Sequence, residues 1–565
     1  MAALASAHAA ASPPETLELE HATFRLERLI PTPAGPHGVA FSPGADRAYV
    51  ACAAADAVAV IDIETGEVIN RLDGGASPLD LYFARDGALI ITQFRENKLA
   101  RVRPRAGDRA INSSAVGRGP TLFSRAVAGR RALVCEFDGS VVEIDADTGR
   151  PGRSWRIGAR PYPADFTSDG VLLFVPARDD NHLVVIDTLS GSVRARVGVG
   201  AQPEGAAITP DDAHCIVVCG GSNELHLVNT ATFETTAIIR EDVGPRPFSI
   251  AMIPRPPAAT GPDYAVIANA EADTISILDL DARAVVGRLR IGKRPVVVRP
   301  HPDGERIFIS CEGDNTVAVV RIERPTPTTP TMRPEVLILG ALHGAHITSE
   351  RYGVDVLRRA VRDFNPGHVL VEIPPARHEH ALRDHRAGRA IADPRVSRLP
   401  EYTRVVFPLM DELGFGVTPY SSWTAEIGAH RHAQLAAIAS DPDRAPEWRA
   451  RQEDFSEMNR RIDALGAPDD PRVIHSDAYD RAVRDGHASS DRFFDRDLGP
   501  ASRPAMIERD VARIHRALDR MIAEGAPERI LVLTGAASRG EVERQLRSRS
   551  DIAIKDAGRA VGAND

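Results

Sequence analysis

A pattern of glycine and proline recurs along the first 300 residues of this 565-residue chain at a nearly constant spacing. Gly-x-x-Pro occurs six times, and Pro36 begins a seventh, degenerate copy. The six full copies lie at 75–78, 117–120, 158–161, 200–203, 244–247 and 292–295. Counted from Pro36, successive prolines are 42, 42, 41, 42, 44 and 48 residues apart. That period is typical of one four-stranded blade of a β-propeller, so the sequence predicts seven blades.

Each repeat contains the same order of short apolar segments and turns. The third segment reads VAVID, VVEID, LVVID or ISILD in different copies, as a packed strand does. The seventh repeat ends after this third strand, while residues 23–30, TFRLERLI, precede the first proline without a blade of their own. We expect residues 23–30 to supply the missing fourth strand, because closing the ring leaves no open sheet edge. The propeller is therefore predicted to span residues 23–323.

Residues 31–323 resemble the YVTN-type repeats of YncE-like propellers, in which a strand beginning with proline is followed by a strand such as AYVAC and by a VID-type strand with a Thr-Gly turn. The resemblance implies a WD40-like seven-bladed fold but names no function, since propellers serve many. It implies that a protein partner, if there is one, binds the top face of the ring.

Four of the five cysteines fall at one position of the repeat when the copies are aligned. They are Cys52, Cys135, Cys219 and Cys311. A ring of metal-binding thiols is one interpretation, but equivalent positions in different blades are too far apart to share an ion. Small residues buried where blades converge are the preferred interpretation.

Composition excludes several functional classes. The chain is 43% hydrophobic and 26% charged, with 69 basic and 78 acidic residues and a formal charge of -9. No basic stripe suited to nucleic acid is present, and no apolar run is long enough to span a bilayer. The Ala-rich residues 1–22 are expected to be a disordered leader or the remnant of a signal peptide. The protein is expected to be soluble, cytoplasmic as written, or periplasmic or secreted if a signal peptide is truncated.

The repeat pattern ends at a segment rich in proline and threonine, and a different pattern begins. Residues 324–333 are predicted to be an extended linker. Beyond them, short apolar runs near 335–342, 368–374, 415–420 and 529–536 alternate with long amphipathic stretches. Such alternation predicts a second domain, 334–560, of α/β class with a largely parallel sheet.

Polar residues follow the strands predicted for this second domain. His343 comes just after the first strand, and Glu372 ends the second. Because the carboxyl ends of parallel strands form the binding crevice, we expect these two residues to pair on adjacent strand ends. His343 would act as a general base or metal ligand, with Glu372 as its partner or co-ligand. The alternative is a polar pair that merely caps the strand ends.

Residues 333–560 resemble the TraB/Tiki and erythromycin-esterase/ChaN-like superfamily. The resemblance rests on Gly-x-x-His at 340–343, on Glu372 in VLVEIP, on Glu-Arg-Asp at 508–510 and on a final ExxL helix at 543–546. Members include metal-dependent proteases, hydrolases of cyclic esters and haem-binding lipoproteins. A divalent metal, zinc or manganese in preference to haem, is expected with His343, His346 and Glu372 as ligands. His346 is included because it falls on the same face as His343 if the chain turns helical there; the alternative is an ordinary polar residue at a helix N-terminus.

One departure from the family bears on the activity. Where members usually carry a second Gly-x-x-His, this chain has Gly-Ala-Ala-Ser at 535–538, and serine is a poor zinc ligand. Either His346, His475 or His487 replaces the missing histidine, or this domain binds without catalysing. Arg509, Ser538 and Arg539 are expected to bind substrate, because the arginine beside Ser538 favours an anionic group.

Two functions follow as hypotheses. The first is a metal-dependent hydrolase that cleaves an ester, lactone or peptide bond in a small-molecule or peptide substrate recruited by the propeller. The second is a non-catalytic binding or scaffold protein, whose second domain is a degenerate relative that holds metal or haem.

Overall fold

The structure, a computed structural model, describes residues 15–104, 112–127, 129–255, 261–324, 333–523, 525 and 527–562. The chain divides into two compact units, residues 1–326 and 327–565. The predicted linker at 324–333 lies outside the described residues except at its two ends. Within the described ranges, no helix combines the length and the apolarity that a bilayer crossing requires.

The first unit is a seven-bladed β-propeller, which confirms the fold class predicted from the repeats. Every blade is an antiparallel sheet whose neighbouring strands follow one another in the chain, apart from the strand that closes the last blade. The strands of blades 1 to 3 are Pro36–Phe41, Arg47–Cys52, Ala57–Asp62 and Val68–Asp73; Pro78–Phe83, Leu89–Gln93, Lys98–Val102 and Asn112–Ala115; and Pro120–Phe123, Arg130–Cys135, Ser140–Asp145 and Pro151–Arg156. Those of blades 4 to 6 are Asp165–Phe166, Leu172–Ala177, His182–Asp187 and Val193–Gly198; Pro203–Ile208, His214–Cys219, Glu224–Asn229 and Thr235–Ile239; and Pro247–Met252, Tyr264–Asn269, Thr274–Asp279 and Ala284–Arg290.

The seventh blade joins the two ends of the propeller. Its own strands are Pro295–Pro300, Arg306–Cys311 and Thr316–Glu323, and Thr23–Pro31 pairs antiparallel with the last of them along its whole length. The short strand Thr16–Glu18 then pairs with Thr23–Pro31 as a fifth strand. The prediction that residues 1–22 form a disordered leader is therefore wrong for Thr16–Glu18, which extend the sheet. Residues 1–14 lie outside the described part of the chain.

A repeated hydrogen bond links each blade to the next. The residue before the proline at the start of each blade has a left-handed backbone, with φ between 48° and 71°. In six blades its N–H donates to an Asp or Asn side chain of the preceding blade, which is itself left-handed. The acceptors are Asp56, Asn97, Asn181, Asn223, Asp273 and Asn315. Asp and Asn tolerate this backbone better than other side chains, so one residue type serves both the turn and the blade contact.

The four equivalent cysteines end the second strands of blades 1, 3, 5 and 7. Each is paired with the proline that begins its blade, and each is fully buried. Burial raises the pKa of Cys52 to about 11 and the pKa values of Cys135, Cys219 and Cys311 to about 12. The thiols are therefore protonated packing groups, each within a different sheet.

The second unit contains a five-stranded parallel sheet, so its predicted α/β class is also confirmed. Its strands are β1 (Glu335–Ala341), β2 (His368–Val371), β3 (Gly416–Pro419), β4 (Arg529–Gly535) and β5 (Ala553–Lys555), in the order β3-β2-β4-β1-β5. The helices are α1 (Val354–Phe364), α2 (Pro375–Arg386), α3 (Phe407–Leu413), α4 (Ala425–Ser440), α5 (Ala445–Leu465), α6 (Pro471–Ile474), α7 (Asp477–Leu498), α8 (Arg503–Ala523), α9 (Ala536–Leu546) and α10 (Ala557–Gly562).

Both faces of this sheet are buried. Leu337 and Leu339 of β1 pack in one apolar cluster with residues of α1 and α3. Val336 and Ile338 of the same strand pack in a second cluster, with residues of α8 and α9. Alternate side chains of one strand thus enter two cores, as in a doubly covered parallel sheet, and the polar residues are left at its edges.

Candidate functional site

His343 lies two residues beyond the carboxyl end of β1, at the start of a short 3-10 helix, His343–Ile347. Its φ is +52°, a left-handed conformation that is uncommon for a histidine. Strained backbone of this kind costs free energy and persists where the surrounding structure holds it, often at functional sites. The turn directs the imidazole to the carboxyl edge of the sheet, the position that the strand pattern predicts.

The partner of His343 is Glu401, which the sequence analysis did not identify. Nδ1 of His343 lies 2.6 Å from Oε1 of Glu401, whose side chain is fully buried. Oε2 of Glu401 is buried too and has no hydrogen-bond partner among the described residues. Burial lowers the pKa of His343, but the hydrogen bond that its imidazole donates to Glu401 and the negative charges of Glu401 and Glu372 outweigh burial and leave that pKa raised.

Glu401 begins a π-helix, Glu401–Val406, that continues directly into α3. Turns of π-helix are rare and occur frequently at functional sites, since the extra residue changes the direction of a side chain. At the first residue of this helical segment, the carboxylate also lies near the positive end of the helix dipole. No periodicity in the sequence marks this position, and it is 58 residues from His343.

Glu372 reaches the same point from the end of β2. Its Oε2 accepts hydrogen bonds from the N–H of Gly535, at 2.6 Å, and from the hydroxyl of Thr534, at 3.1 Å. Gly535 precedes the first residue of α9. A methyl group built on Gly535 would lie 3.0 Å from Nε2 of His343 and 3.5 Å from Oε2 of Glu372. The absence of a side chain at Gly535 therefore lets His343 and Glu372 approach the same position.

The two residues do not follow adjacent strands, so that part of the prediction was wrong. Strand β4 lies between β1 and β2 and is parallel to both. The strand alternation predicts the elements but not their order, and β4 comes last of the three in the chain. His343 and Glu372 meet across the end of β4, which is possible because that end is Gly535.

A second carboxyl group, that of Asp510 on α8, lies near Glu372. Oδ1 of Asp510 accepts the N–H of Ser422 at 2.6 Å, just after β3. Burial and the negative charge of Glu372 raise the pKa of Asp510 to about 7. A substantial fraction of this carboxyl group therefore keeps its proton at neutral pH, as in pairs of carboxylates that cannot both ionise.

A guanidinium group completes the surroundings. Arg395 stacks on the ring of Trp423, with 4.9 Å between its central carbon and the ring centroid. Burial and the charge of Arg377 lower the pKa of Arg395, while Glu372 acts in the opposite direction. Its own charge in turn opposes the rise in the pKa of His343. Within the described residues, Arg395 forms no ion pair with a carboxylate.

His346 and His475 have both ring nitrogens occupied by the main chain. In His346, Nε2 accepts the N–H of Leu342 at 2.9 Å and Nδ1 lies 2.6 Å from the carbonyl oxygen of Tyr352. In His475, Nε2 accepts the N–H of Gly340 at 3.0 Å and Nδ1 lies 2.6 Å from the carbonyl oxygen of Pro471. Burial lowers the pKa values of both. In this arrangement they shape the loop that carries His343 and offer no free nitrogen.

The donors near His343 do not form the metal site that the family resemblance implies. Across the ranges that the structure describes, no three His, Cys, Asp or Glu side chains are grouped so as to hold an ion. Glu401 binds Nδ1 of His343, as a carboxylate does in many metal-ligating histidines, and Oε2 of Glu372 accepts two hydrogen bonds, so these contacts involve neither Nε2 of His343 nor Oε1 of Glu372. His487 lies on α7 beside Phe455 and three arginines. Because both nitrogens of His346 are bound to the main chain, the predicted ligand set of His343, His346 and Glu372 is reduced, among the described residues, to His343 and Glu372.

The three residues expected to bind substrate have different surroundings. Arg539 is buried and forms ion pairs with Asp480 and Glu543, so its charge is already balanced. Ser538 lies in the first turn of α9 and is partly exposed, while Gly535 is the residue of this segment that lies against His343. Arg509 precedes Asp510 on α8 and is also partly exposed.

Comparison with known proteins assigns no family. No family description matches the chain, and no curated protein does. Among solved structures, hydrazine synthase of Kuenenia stuttgartiensis is similar over 52% of this chain and 97% of the other, at 18% identity and a TM-score of 0.45. A chain of a mitotic checkpoint complex is similar over 57% of this chain and 98% of the other, at 14% identity and a TM-score of 0.46.

Proposed function

We propose that the second domain is a hydrolase that cleaves carboxylic esters or lactones with a water molecule activated by His343. The observation that carries the proposal is the His343–Glu401 hydrogen bond, with Nε2 of His343 lying beside Glu372 at Gly535. A histidine oriented by a buried carboxylate is a recurrent general base, because the carboxylate fixes the tautomer and stabilises the imidazolium that forms.

In the proposed reaction, Nε2 of His343 removes a proton from water while the water oxygen attacks the ester carbonyl. Glu372 positions this water through Oε1, since Oε2 is held by Thr534 and Gly535. The new C–O bond creates an oxyanion, which the charge of Arg395 stabilises. When the tetrahedral intermediate collapses, the acyl C–O bond breaks and the imidazolium returns its proton to the leaving alkoxide.

An ester or lactone fits this site better than a peptide bond. The carbonyl carbon of an amide is less electrophilic than that of an ester, and an amine leaves less readily than an alcohol. Most enzymes that cleave amides therefore use an activated nucleophile or a metal ion. The donors around His343 are not arranged to hold a metal among the described residues. The resemblance to the erythromycin-esterase-like superfamily also favours a cyclic ester. Recruitment of substrate or of a protein partner by the propeller stays a prediction.

The test uses a variant that should fold. His343→Ala would leave the buried Glu401 carboxylate unpaired, a change that costs about 3–5 kcal/mol. His343→Asn is preferable, because Asn tolerates the left-handed backbone and its amide N–H can still donate to Glu401. The full-length protein is assayed with 4-nitrophenyl acetate and butyrate and, by pH-stat, with γ- and δ-lactones.

We expect His343→Asn to lower kcat/KM by about 100-fold or more on every substrate that wild type cleaves. The matched control is His368→Gln, at the opposite end of the sheet, which should keep wild-type activity. Dialysis against EDTA should leave the rate unchanged. Wild-type rates in His343→Asn, or no hydrolysis of any ester or lactone by wild type, would overturn the proposal. Loss of activity with EDTA would overturn its metal-free form.

A further inference from the structure

A cluster of cationic side chains lies among four helices of the second domain, apart from the site around His343. Its members are Arg431 on α4, Arg451 on α5, His487 on α7 and Arg503 on α8, called here the arginine cluster. Helix α4 packs against α5 and α7, and α7 packs against α8, so the four side chains belong to one helical layer. The proposed hydrolysis uses none of them.

One aromatic ring holds two members of the cluster together. The central guanidinium carbon of Arg451 lies 4.8 Å from the ring centroid of Phe455 and 4.7 Å from that of Trp448. The imidazole of His487 meets Phe455 edge-on, at 4.8 Å between centroids. Arg451 is thus held against two rings, which restricts its orientation before any ligand arrives. Its Nε is buried and has no hydrogen-bond partner within the described residues.

The other two arginines lie beside the junction between α7 and α8. Nη1 of Arg503 forms an ion pair with Asp491 at 3.1 Å, and Asp491 is one helical turn beyond His487. Nη1 of Arg431 donates to the carbonyl oxygen of Ala501 at 2.7 Å, two residues before Arg503. These two contacts connect Arg431 of α4 and Asp491 of α7 to the segment at the start of α8.

Two of the three arginines of the cluster, Arg431 and Arg451, form no ion pair with a carboxylate among the described residues. Three guanidinium groups share one ion-paired carboxylate, Asp491. Asp454, on the face of α5 toward α7, accepts hydrogen bonds from the N–H and hydroxyl of Ser489, two uncharged donors, and forms no ion pair with the cluster among the described residues. Burial, followed by the charges of Arg503, Arg431 and Arg451, lowers the pKa of His487 to about 4, so the imidazole is neutral at physiological pH. Partly buried cations that lack a direct ion pair are costly, and an anionic ligand would supply that partner.

We propose that the arginine cluster binds a phosphate group, either inorganic phosphate or the phosphate of a small monoester. Among the described residues no carboxylate pairs with Arg431 or Arg451, and phosphate carries close to two negative charges at neutral pH, one for each of these guanidinium groups. Guanidinium groups match the spacing of phosphate oxygens with paired N–H donors, and the neutral imidazole of His487 adds another N–H donor.

The binding test uses the full-length protein with inorganic phosphate and, separately, with phenyl phosphate, at an ionic strength held constant with sodium chloride. Calorimetric titration gives the affinity, and tryptophan fluorescence reports on Trp448, which stacks on Arg451. We expect saturable binding of one phosphate or ester per chain. Binding of inorganic phosphate alone would identify the free ion as the ligand, and tighter binding of phenyl phosphate would identify a monoester.

Arg451→Gln and Arg431→Gln should each weaken binding by about tenfold or more, the loss expected for a charge-assisted hydrogen bond. The matched control is Arg461→Gln on the same helix as Arg451, where an exposed arginine pairs with Glu457. His343→Asn should leave binding unchanged, since the catalytic crevice is separate. All variants are checked for folding by circular dichroism. No binding of either probe, or equal affinity in Arg451→Gln, Arg431→Gln and Arg461→Gln, would overturn the proposal.

Discussion

Nδ1 of His343 lies 2.6 Å from Oε1 of Glu401, a carboxylate with no exposed surface. The pair joins a loop after β1 to a π-helix far along the chain, and it leaves Nε2 of His343 directed at the crevice. A buried carboxylate with one unpartnered oxygen is destabilising on its own. Its presence here is explained if the orientation and basicity of His343 are what the site requires.

Glu401→Gln tests the role of that charge, because glutamine keeps a hydrogen-bond acceptor and removes the negative charge. The carboxylate stabilises the imidazolium, so its loss should lower the pKa of His343 from its raised value. Since the neutral imidazole is the base, the acidic limb of the kcat/KM profile should move to lower pH. The plateau rate should fall by about tenfold or more. An unchanged limb in a folded variant would mean that Glu401 does not control His343.

Gly535→Ala tests the approach of His343 and Glu372 across the end of β4. The backbone of Gly535 has a φ of -61°, which alanine adopts freely, so the fold should be retained. The added methyl group would lie 3.0 Å from Nε2 of His343 and must displace it. We expect kcat to fall by about tenfold or more with little change in melting temperature. Gly344→Ala is the control, since its methyl group would meet no atom within 4 Å; equal kcat in both variants would contradict the crowding.

The repeats allowed the propeller to be predicted blade by blade, because the same order of turn residues and apolar strand residues recurs in every blade. His343 and Glu372 could be identified because strand ends in a parallel sheet are where polar residues gather. Glu401 could not, since its pairing with His343 exists only once the π-helix Glu401–Val406 is brought to the loop after β1 in the folded domain. Helix α7 was also not predicted; its six aspartates and Gly486 weaken helix propensity, and packing against α5 compensates.

The failure to predict α7 affected the interpretation of Arg539. Beside Ser538 in the sequence, this arginine suggests an anion-binding residue. In the structure, Asp480 of α7 and Glu543 of α9 both pair with it, and the side chain is buried. An arginine can be predicted to bind an anionic ligand only if its ion-pair partners within the fold are known. Asp480 becomes a partner of Arg539 only through the tertiary packing of α7 on α9.

Asp510→Asn should change how stability depends on pH. The folded-state pKa of Asp510, about 7, lies above its ordinary value, so folding favours the protonated carboxyl group. This contribution to the free energy of unfolding is fully present below about pH 4. It is lost as pH rises through about 7. Asparagine stays neutral, so the apparent melting temperature of the variant relative to wild type should increase between pH 4.5 and pH 8. The exposed Asp485→Asn should not show this trend, and a constant difference for Asp510→Asn would show that the carboxyl is already ionised at pH 4.5.

The strand that closes the propeller offers the sharpest test of the first domain. Phe24 of Thr23–Pro31 is fully buried and meets the ring of Tyr264 in blade 6 at 5.6 Å between centroids, so it ties the N-terminus to two blades. Its neighbour Arg25 has an exposed side chain on the opposite face of the strand.

Phe24→Ala should therefore destabilise the propeller by about 3–5 kcal/mol, while Arg25→Ala should change its stability by less than about 1 kcal/mol. Deleting residues 1–30 should be more damaging still, because the loss of Thr23–Pro31 also exposes the edge of Thr316–Glu323. Within the described part of the chain, deleting residues 1–18 removes the short outer strand Thr16–Glu18 and leaves Thr23–Pro31 in place, so we expect it to be tolerated. Guanidinium unfolding followed by circular dichroism measures all four variants; equal stability of the two truncations, or of Phe24→Ala and Arg25→Ala, would mean that the ring does not depend on this strand for closure.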